Sequence, residues 1–358
     1  MHSLLRAIRQ LGVRRLLQLR RARSWGWEGL LRGHVLTRVV QTLLDTGLFD
    51  AMRSQGAVDV KVFARSHALD EQVMAAMCDY LVGRRVLRKA DSNGSYRLDD
   101  DGAFMMRSDA VRGWMELVHG YEDVLHALPD MLAGRRHYRV GDVQRDGEHV
   151  AVGSGRASVG FFFPLTADTI RRGGYRRVLD IGCGDASFLR YLCRTVPGVE
   201  GIGIDQSEAA VQSARTQIAQ ENLCDRVKVI CGDAFKLGDY RAELQGVDAA
   251  TSFFVLHELC GPAHDGPLMP FLETFRRALP NVPLIAIDAI RPTVEQMRRR
   301  PGPAIEYSLL HDLSGQTTLA RGAWRKVFID AGFGEVSEEH FDFARASIIS
   351  AAAPTQSH

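Results

Sequence analysis

From residue 177 onward, short apolar runs alternate with stretches of helical period. Val178–Ile181, Val199–Ile204, Val227–Ile230, Val247–Phe254 and Leu284–Ile287 each read as a buried strand. The segments between them place apolar residues at helical spacing, as Phe188, Leu189, Leu192, Cys193 and Val196 do. Such alternation predicts an α/β unit, a parallel sheet covered by helices on both faces. Glu335–Phe343 and Ala346–Ala351 predict a final antiparallel hairpin at the sheet edge.

Residues 30–110 follow another pattern. His34–Phe49 predicts a helix ending near Gly47, and Val60–Ala68 a second. Asp70 opens a third, with Val73, Met77, Tyr80 and Leu81 on one face. Val86–Lys89 and Ser95–Leu98 flank Asp91-Ser92-Asn93-Gly94, a turn between two strands. Three helices and a hairpin make a winged-helix pattern. Its third helix carries Asp70, Glu71 and Asp79, charges that oppose phosphate. Packing or dimerisation is therefore expected of it, and nucleic acid is not. Residues 111–165 read as helical and then irregular, with Val150–Gly160 as a linker.

Composition narrows this picture only slightly. The 358 residues suit two or three domains, and the net charge of +2 points to no polyanionic partner. No apolar run approaches the ~18 residues of a membrane span. The six cysteines lack C-x-x-C spacing, which predicts reduced thiols and a cytoplasmic protein. Seven arginines precede the first acidic residue, Glu28, on an imperfect leucine stripe. A basic helix against a subunit is the preferred reading there, over a targeting signal.

Candidate chemistry gathers at the strand ends. Val178-Leu179-Asp180-Ile181-Gly182-Cys183-Gly184-Asp185 joins the first strand to its helix. Gly182 and Gly184 allow a sharp turn and close approach of a ligand. A pyrophosphate site would avoid Asp180 and Asp185, whereas a cationic ligand suits them. Asp205, with Gln206 after it, ends the second strand, where a carboxylate can accept from both ribose hydroxyls. Asp233, Ala234 and Phe235 follow the third, beside the place for an adenine.

This constellation, over residues 175–353, resembles the class I S-adenosylmethionine (SAM) dependent methyltransferases. The resemblance implies a Rossmann-like seven-stranded domain with Asp180, Gly182 and Gly184 at the methionine end. It implies Asp205 at the ribose and Asp233 with Ala234 or Phe235 at the adenine. It further implies an N-terminal, mainly helical, winged-helix-like dimerisation domain. The expected division is residues 1–110 for dimerisation, 111–174 for linking helices and an acceptor lid, and 175–358 for SAM binding.

Two readings of the acceptor side remain. In the first, the chain resembles small-molecule O-methyltransferases with a histidine base, and His257 takes a hydroxyl proton without a metal. Glu258 and Leu259 depart from that family's Asp and Trp. In the second, it resembles the 2-oxo acid C-methyltransferases, the phenylpyruvate and 2-ketoarginine type, which bind non-haem iron. His257 and His311 would then be the metal ligands, and Glu258 a base or orienting group. The second reading is preferred. Trp114 and Tyr121 are candidate acceptor walls, and Glu122 and Asp123 candidate partners for a guanidinium, which favours 2-ketoarginine. Arg135, Arg136 and Arg139 are candidate clamps for the acceptor carboxylate, and His264 is read as loop surface. A small-molecule 2-oxo acid and a second copy of the chain are thus the expected partners. A SAM-sensing regulator acting on DNA is the reading from another class.

Overall fold

The computed structural model describes residues 9, 10, 12–15, 17, 18, 21, 26–92, 94–138, 142–261, 266–299, 304–342 and 344–352. The arginine-rich N-terminus lies largely outside these residues, as do Arg139 and His264. The chain divides into two compact units, Met1–Ser108 and Asp109–His358.

In unit 1, helices α1 (Trp27–Asp45) and α2 (Leu48–Gln55) are separated at Gly47, which has φ +75°. Then follow β1 (Val58–Asp59), α3 (Val60–Ser66), α4 (Glu71–Val82), β2 (Leu87–Lys89), β3 (Ser95–Leu98) and α5 (Asp100–Arg107). Asp59 and Asp70 cap α3 and α4, each accepting from two backbone N–H groups of the first turn. The expected hairpin forms, with Leu87 opposite Leu98, and β1 adds a third strand along β3. The buried face of α4 is Met74, Cys78 and Leu81, one position round from expectation, and Val73 is exposed. Asp79 accepts from Tyr96 Oη at 2.9 Å and pairs with Lys89 at 3.0 Å. Its carboxyl is held below the ordinary range by Lys89 and Tyr96 together. Asp79 therefore pins the hairpin to α4.

Unit 2 opens with α6 (Asp109–Gly120), α7 (Glu122–His126), α8 (Leu128–Leu132), α9 (Gly147–Val159) and α10 (Phe162–Gly173). The run expected to be a linker is α9. Its glycines serve packing: a Cβ on Gly153 would lie 2.6 Å from Leu117 N, and one on Gly113 2.5 Å from Ala157 N. With hydrogens in those places, α6 and α9 meet backbone to backbone.

The remainder is a seven-stranded sheet. It contains β4 (Arg177–Ile181), β5 (Glu200–Asp205), β6 (Val227–Cys231), β7 (Ala249–Phe253), β8 (Leu284–Ala289), β9 (Glu335–Phe341) and β10 (Ala346–Ala352). Their order is β6-β5-β4-β7-β8-β10-β9, and β10 runs antiparallel to both β8 and β9. The main helices of this half are α11 (Ser187–Thr195), α12 (Glu208–Gln220), α13 (Leu268–Ala278), α14 (Val294–Arg299), α15 (Ala304–Leu313) and α16 (Ala323–Asp330).

Alternate residues of the central strands feed two cores. Leu284 and Ala286 face Phe271, Phe275, Trp324 and Phe328, while Ile285 and Ile287 belong with Phe163, Ile170 and Phe188. A sheet covered on both faces needs such apolar strands, and all six positions of β8 are buried. The parallel strands all deliver their C-terminal ends to one edge. No helix among the described residues is long and apolar enough to cross a membrane.

The α6–α9 contact gives a stability prediction. Gly153→Ala forces the two backbones apart and should destabilise the protein by about 1–3 kcal/mol. A lowered midpoint in denaturant unfolding is the expected result.

Candidate active site

One cavity of about 620 Å³ lies at that edge of the sheet. It gathers residues from four strand ends, α9 and α15. Asp180, Gly182, Gly184, Asp205, Gln206, Asp233, Ala234 and Phe235 all line it, as do His257, Glu258, His311 and Tyr121. Segments separated by more than a hundred residues thus meet in one space.

The glycine loop forms as its sequence requires. Gly182 has φ +68°, and a Cβ there would lie 2.6 Å from Val255 Cγ2. Only glycine meets both conditions. Gly184 N donates to Asp205 Oδ2 at 2.9 Å, and Ser207 N donates to Asp205 Oδ1 at 2.8 Å. Asp205 thereby joins the first loop to the second. Asp233 Oδ1 accepts from Phe235 N at 2.9 Å, and the Phe235 ring meets Phe271 edge-on.

Asp180 is buried, and its Oδ1 accepts from Thr251 Oγ1 at 2.7 Å. Burial pushes its carboxyl up to about 7, with Asp205 adding to the rise and Thr251 opposing it. The Cys183 thiol is raised well above its ordinary value by burial and then by Asp180, Asp205 and Asp185. This concentration of carboxylates favours a ligand bearing positive charge.

At the other end, His257 sits on a 3₁₀ turn (Leu256–Leu259) just after β7. Its Nδ1 lies 2.7 Å from Asp288 Oδ1, and its backbone N donates to Asp288 Oδ2 at 3.1 Å. Asp288, at the end of β8, also accepts from Ala289 N at 2.7 Å. His311, on α15, has Nδ1 2.6 Å from the carbonyl of Tyr307.

A carbonyl can only accept, so His311 carries its proton on Nδ1. The Asp288 carboxylate selects the same tautomer of His257. Both rings therefore engage their partners through Nδ1 and leave Nε2 for another ligand. Their centres are 4.5 Å apart at 73°, and Nε2 of His257 is buried without a hydrogen-bond partner. Burial, and then the neighbouring His257, lowers the His311 pKa well below its ordinary value, which keeps that ring neutral. Two imidazoles side by side, each engaged through Nδ1, are a donor set whose Nε2 atoms suit a divalent transition metal. Asp288 would act through His257, holding its ring and raising its basicity.

The acceptor-side residues divide. Tyr121 is fully buried and lines the cavity. Trp114 does not line it; its ring stands edge-on to Tyr307, which does, with centres 5.9 Å apart. Glu122 and Asp123 are outside the lining. Glu122 lies 3.8 Å from His119, and Asp123 is exposed. The start of α7 turns both away from the chemistry, which corrects the expectation of a guanidinium site there. Arg135 pairs with Asp130, and Arg136 donates to the carbonyl of Asp142, so neither is a clamp.

The sequence left three participants unmarked. Asp288 is hidden inside an apolar strand. Tyr307, whose phenol is raised well above its ordinary value by burial, lies against His311 with ring centres 3.9 Å apart and planes tilted by 33°. Arg145 reaches Glu258 Oε1 at 2.5 Å, Tyr121 Oη at 3.1 Å and Gln316 Oε1 at 3.3 Å. None belongs to a motif, and only a three-dimensional view collects them.

Known proteins bear on this site in three ways. Residues 178–280 match the methyltransferase domain family. The chain is 26% identical over 314 residues to 2-ketoarginine methyltransferase of Streptomyces arginensis, covering 84% of this chain and 86% of the relative. It is 30% identical over 159 residues to indolepyruvate C-methyltransferase of Streptomyces griseus, covering 44% and 46%. In fold it is similar to human N-acetylserotonin methyltransferase solved with SAM, at TM-score 0.69 and 17% identity over 92% of this chain and 97% of that one. Mitomycin 7-O-methyltransferase superposes at TM-score 0.65 and 16% identity over 94% and 99%. The domain match and these relatives, on a seven-stranded sheet with its glycine loop at the cavity, make this chain a class I SAM-dependent methyltransferase.

Proposed function

We propose that this methyltransferase transfers its methyl group to C3 of a 2-oxo acid. The carrying observation is the His257–His311 pair, two adjacent rings held through Nδ1 in the same cavity as the glycine loop. The two C-methyltransferase and 2-ketoarginine relatives support the same substrate class.

In this reading Asp180, Gly182 and Gly184 hold the amino acid end of SAM. Asp205 and Gln206 take the ribose, and Asp233, Ala234 and Phe235 the adenine. The buried Asp180 faces the ligand's ammonium group. His257 and His311 would hold an iron(II) ion, which would supply the Lewis acidity that stabilises an enolate of the acceptor. A water oriented by Glu258, next to His257 in the cavity wall, takes the C3 proton, and Arg145 holds Glu258 Oε1. The C3 carbanion, delocalised as the enolate, then forms a bond to the methyl carbon as the sulfur–carbon bond breaks. S-adenosylhomocysteine leaves with the sulfur electron pair. The chain's remaining task is to hold both reactants in near-attack geometry and away from water.

The second reading is metal-free O-methylation with His257 as base. The Asp288–His257 bond favours it, because it leaves Nε2 free to accept a hydroxyl proton. His311 separates the two, having no essential part in that chemistry.

Residues 1–110 are proposed to pair two copies. Leu30, Leu31, Val73 and Phe104 of unit 1 are each more than half exposed in the single chain. Light scattering should then return twice the chain mass, and a monomer at micromolar concentration would reject pairing.

Two predictions concern the site. His257→Ala and His311→Ala should each lower kcat by at least about 100-fold. Chelator should remove both bound iron and activity, and iron(II) should restore them. Full activity of metal-free protein, with His311→Ala unimpaired and His257→Ala inactive, would decide for O-methylation.

The other prediction concerns pH. The Asp180 carboxyl titrates near ~3.9 when unfolded and at about 7 when folded. Between those values the folded state holds the extra proton. Stability of the ligand-free protein should therefore fall as pH rises from about 4 to about 7. Asp180→Asn should remove much of that fall, read as melting temperature at pH 5 and pH 8.

A further inference from the structure

Glu258 and Arg145 come from distant parts of the chain and meet beside the histidine pair. Both line the cavity. Their side chains are 28% and 18% exposed, and their ion pair is 2.5 Å long. Arg145 also donates to Tyr121 Oη and Gln316 Oε1. Gln316 is buried and accepts from Ser314 Oγ at 3.2 Å, so the guanidinium is seated in a built set of acceptors.

The carboxylates lining the cavity have distinct places. Asp180, Asp185, Asp205 and Asp233 belong to the glycine loop and the next two strand ends. Glu148 is exposed in the first turn of α9. Among the described lining residues, Glu258 is the one carboxylate adjacent to a site histidine. A cationic acceptor side chain would need such a partner, free and partly dry. Glu258 already has a guanidinium, and it belongs to the protein. An incoming cation would have to displace Arg145 and then remain beside it, which opposes binding twice over. The other walls here are Leu117, Tyr121, Val150, Phe254 and Tyr307. They favour apolar and aromatic groups.

We infer that Arg145 is a built-in counter-ion in the position a cationic acceptor would occupy, so that the acceptor carries an uncharged, apolar side chain. Arg145 is then a specificity-determining residue. The inference rests on the 2-oxo acid reading above and narrows it.

Three acceptors test it: phenylpyruvate, 5-ureido-2-oxopentanoate and 5-guanidino-2-oxopentanoate. The last two share length and shape and differ in charge, so their kcat/KM ratio isolates charge from room. Carbon methylation is read by mass spectrometry. The wild-type protein should prefer phenylpyruvate and should favour the ureido over the guanidino acceptor by at least tenfold. Arg145→Gln, which retains donors for Tyr121 and Gln316, should raise the guanidino-to-ureido ratio at least tenfold. Arg145→Lys should leave it near the wild-type value. Melting curves and SAM binding establish that each variant is folded.

A wild-type protein that uses the guanidino acceptor as well as the ureido one overturns the inference. So does a folded, SAM-binding Arg145→Gln with an unchanged ratio. Should Arg145→Gln fail to fold, the wild-type ratio alone decides. If no 2-oxo acid is methylated on carbon, the proposed function falls and takes this inference with it. Methylation that prefers the cation removes this inference alone.

Discussion

A carboxylate buried at the end of β8 organises the reactive half of this molecule. Asp288 is wholly removed from water, and an unpaired charge there would be severely unfavourable. It is satisfied by the Ala289 N–H, the His257 N–H and the His257 ring. Those bonds tie the turn after β7 to the neighbouring strand and choose the tautomer of His257. They thereby direct a lone pair, rather than a proton, from Nε2. The next residue, Glu258, is carried by the same turn to Arg145. One buried charge thus arranges a base or ligand, a carboxylate and its counter-ion.

The donor half depends on a different economy of charge. Carboxylates gather at successive strand ends, and at Asp180 burial, with Asp205 adding to it, raises the proton affinity. Such crowding disfavours the empty site and favours a cationic occupant, which suits a sulfonium that also carries an ammonium group. The acceptor half lacks that surplus, because Arg145 neutralises Glu258. The same cavity therefore presents an acidic end and a charge-balanced end, and the boundary falls near His257. In the proposed reading, this difference in charge separates the two reactants.

The helix α9 shows how local composition misleads. Four glycines lie within Gly147–Gly160, counting both ends. That density reads as a linker, since glycine weakens an isolated helix. Here tertiary contact reverses the sign. Gly153 allows α9 to lie on the backbone of α6, and Gly155 comes close to Ser187 at the glycine loop. Burial against a close neighbour compensates for poor propensity. The one-residue shift of the buried face of α4 has a similar origin: Val73 and Met74 are both apolar, and packing selects Met74.

What the amino-acid order determined by itself is the part written in local periodicity and short motifs. The five parallel strands, the closing hairpin, the glycine loop and the carboxylates at strand ends follow from neighbours within a few residues. His257 and His311 were visible as candidates because each lies in a short segment after a strand. Their tautomers were not visible, since these are set by Asp288 and by the Tyr307 carbonyl. Glu122 and Asp123 looked equally suited to an acceptor, yet the start of α7 directs them elsewhere. Arg145 stands 113 residues from Glu258, and no spacing rule connects them. Only the tertiary structure closes that distance, because ion pairs and tautomers are chosen by what packing brings together and deprives of water.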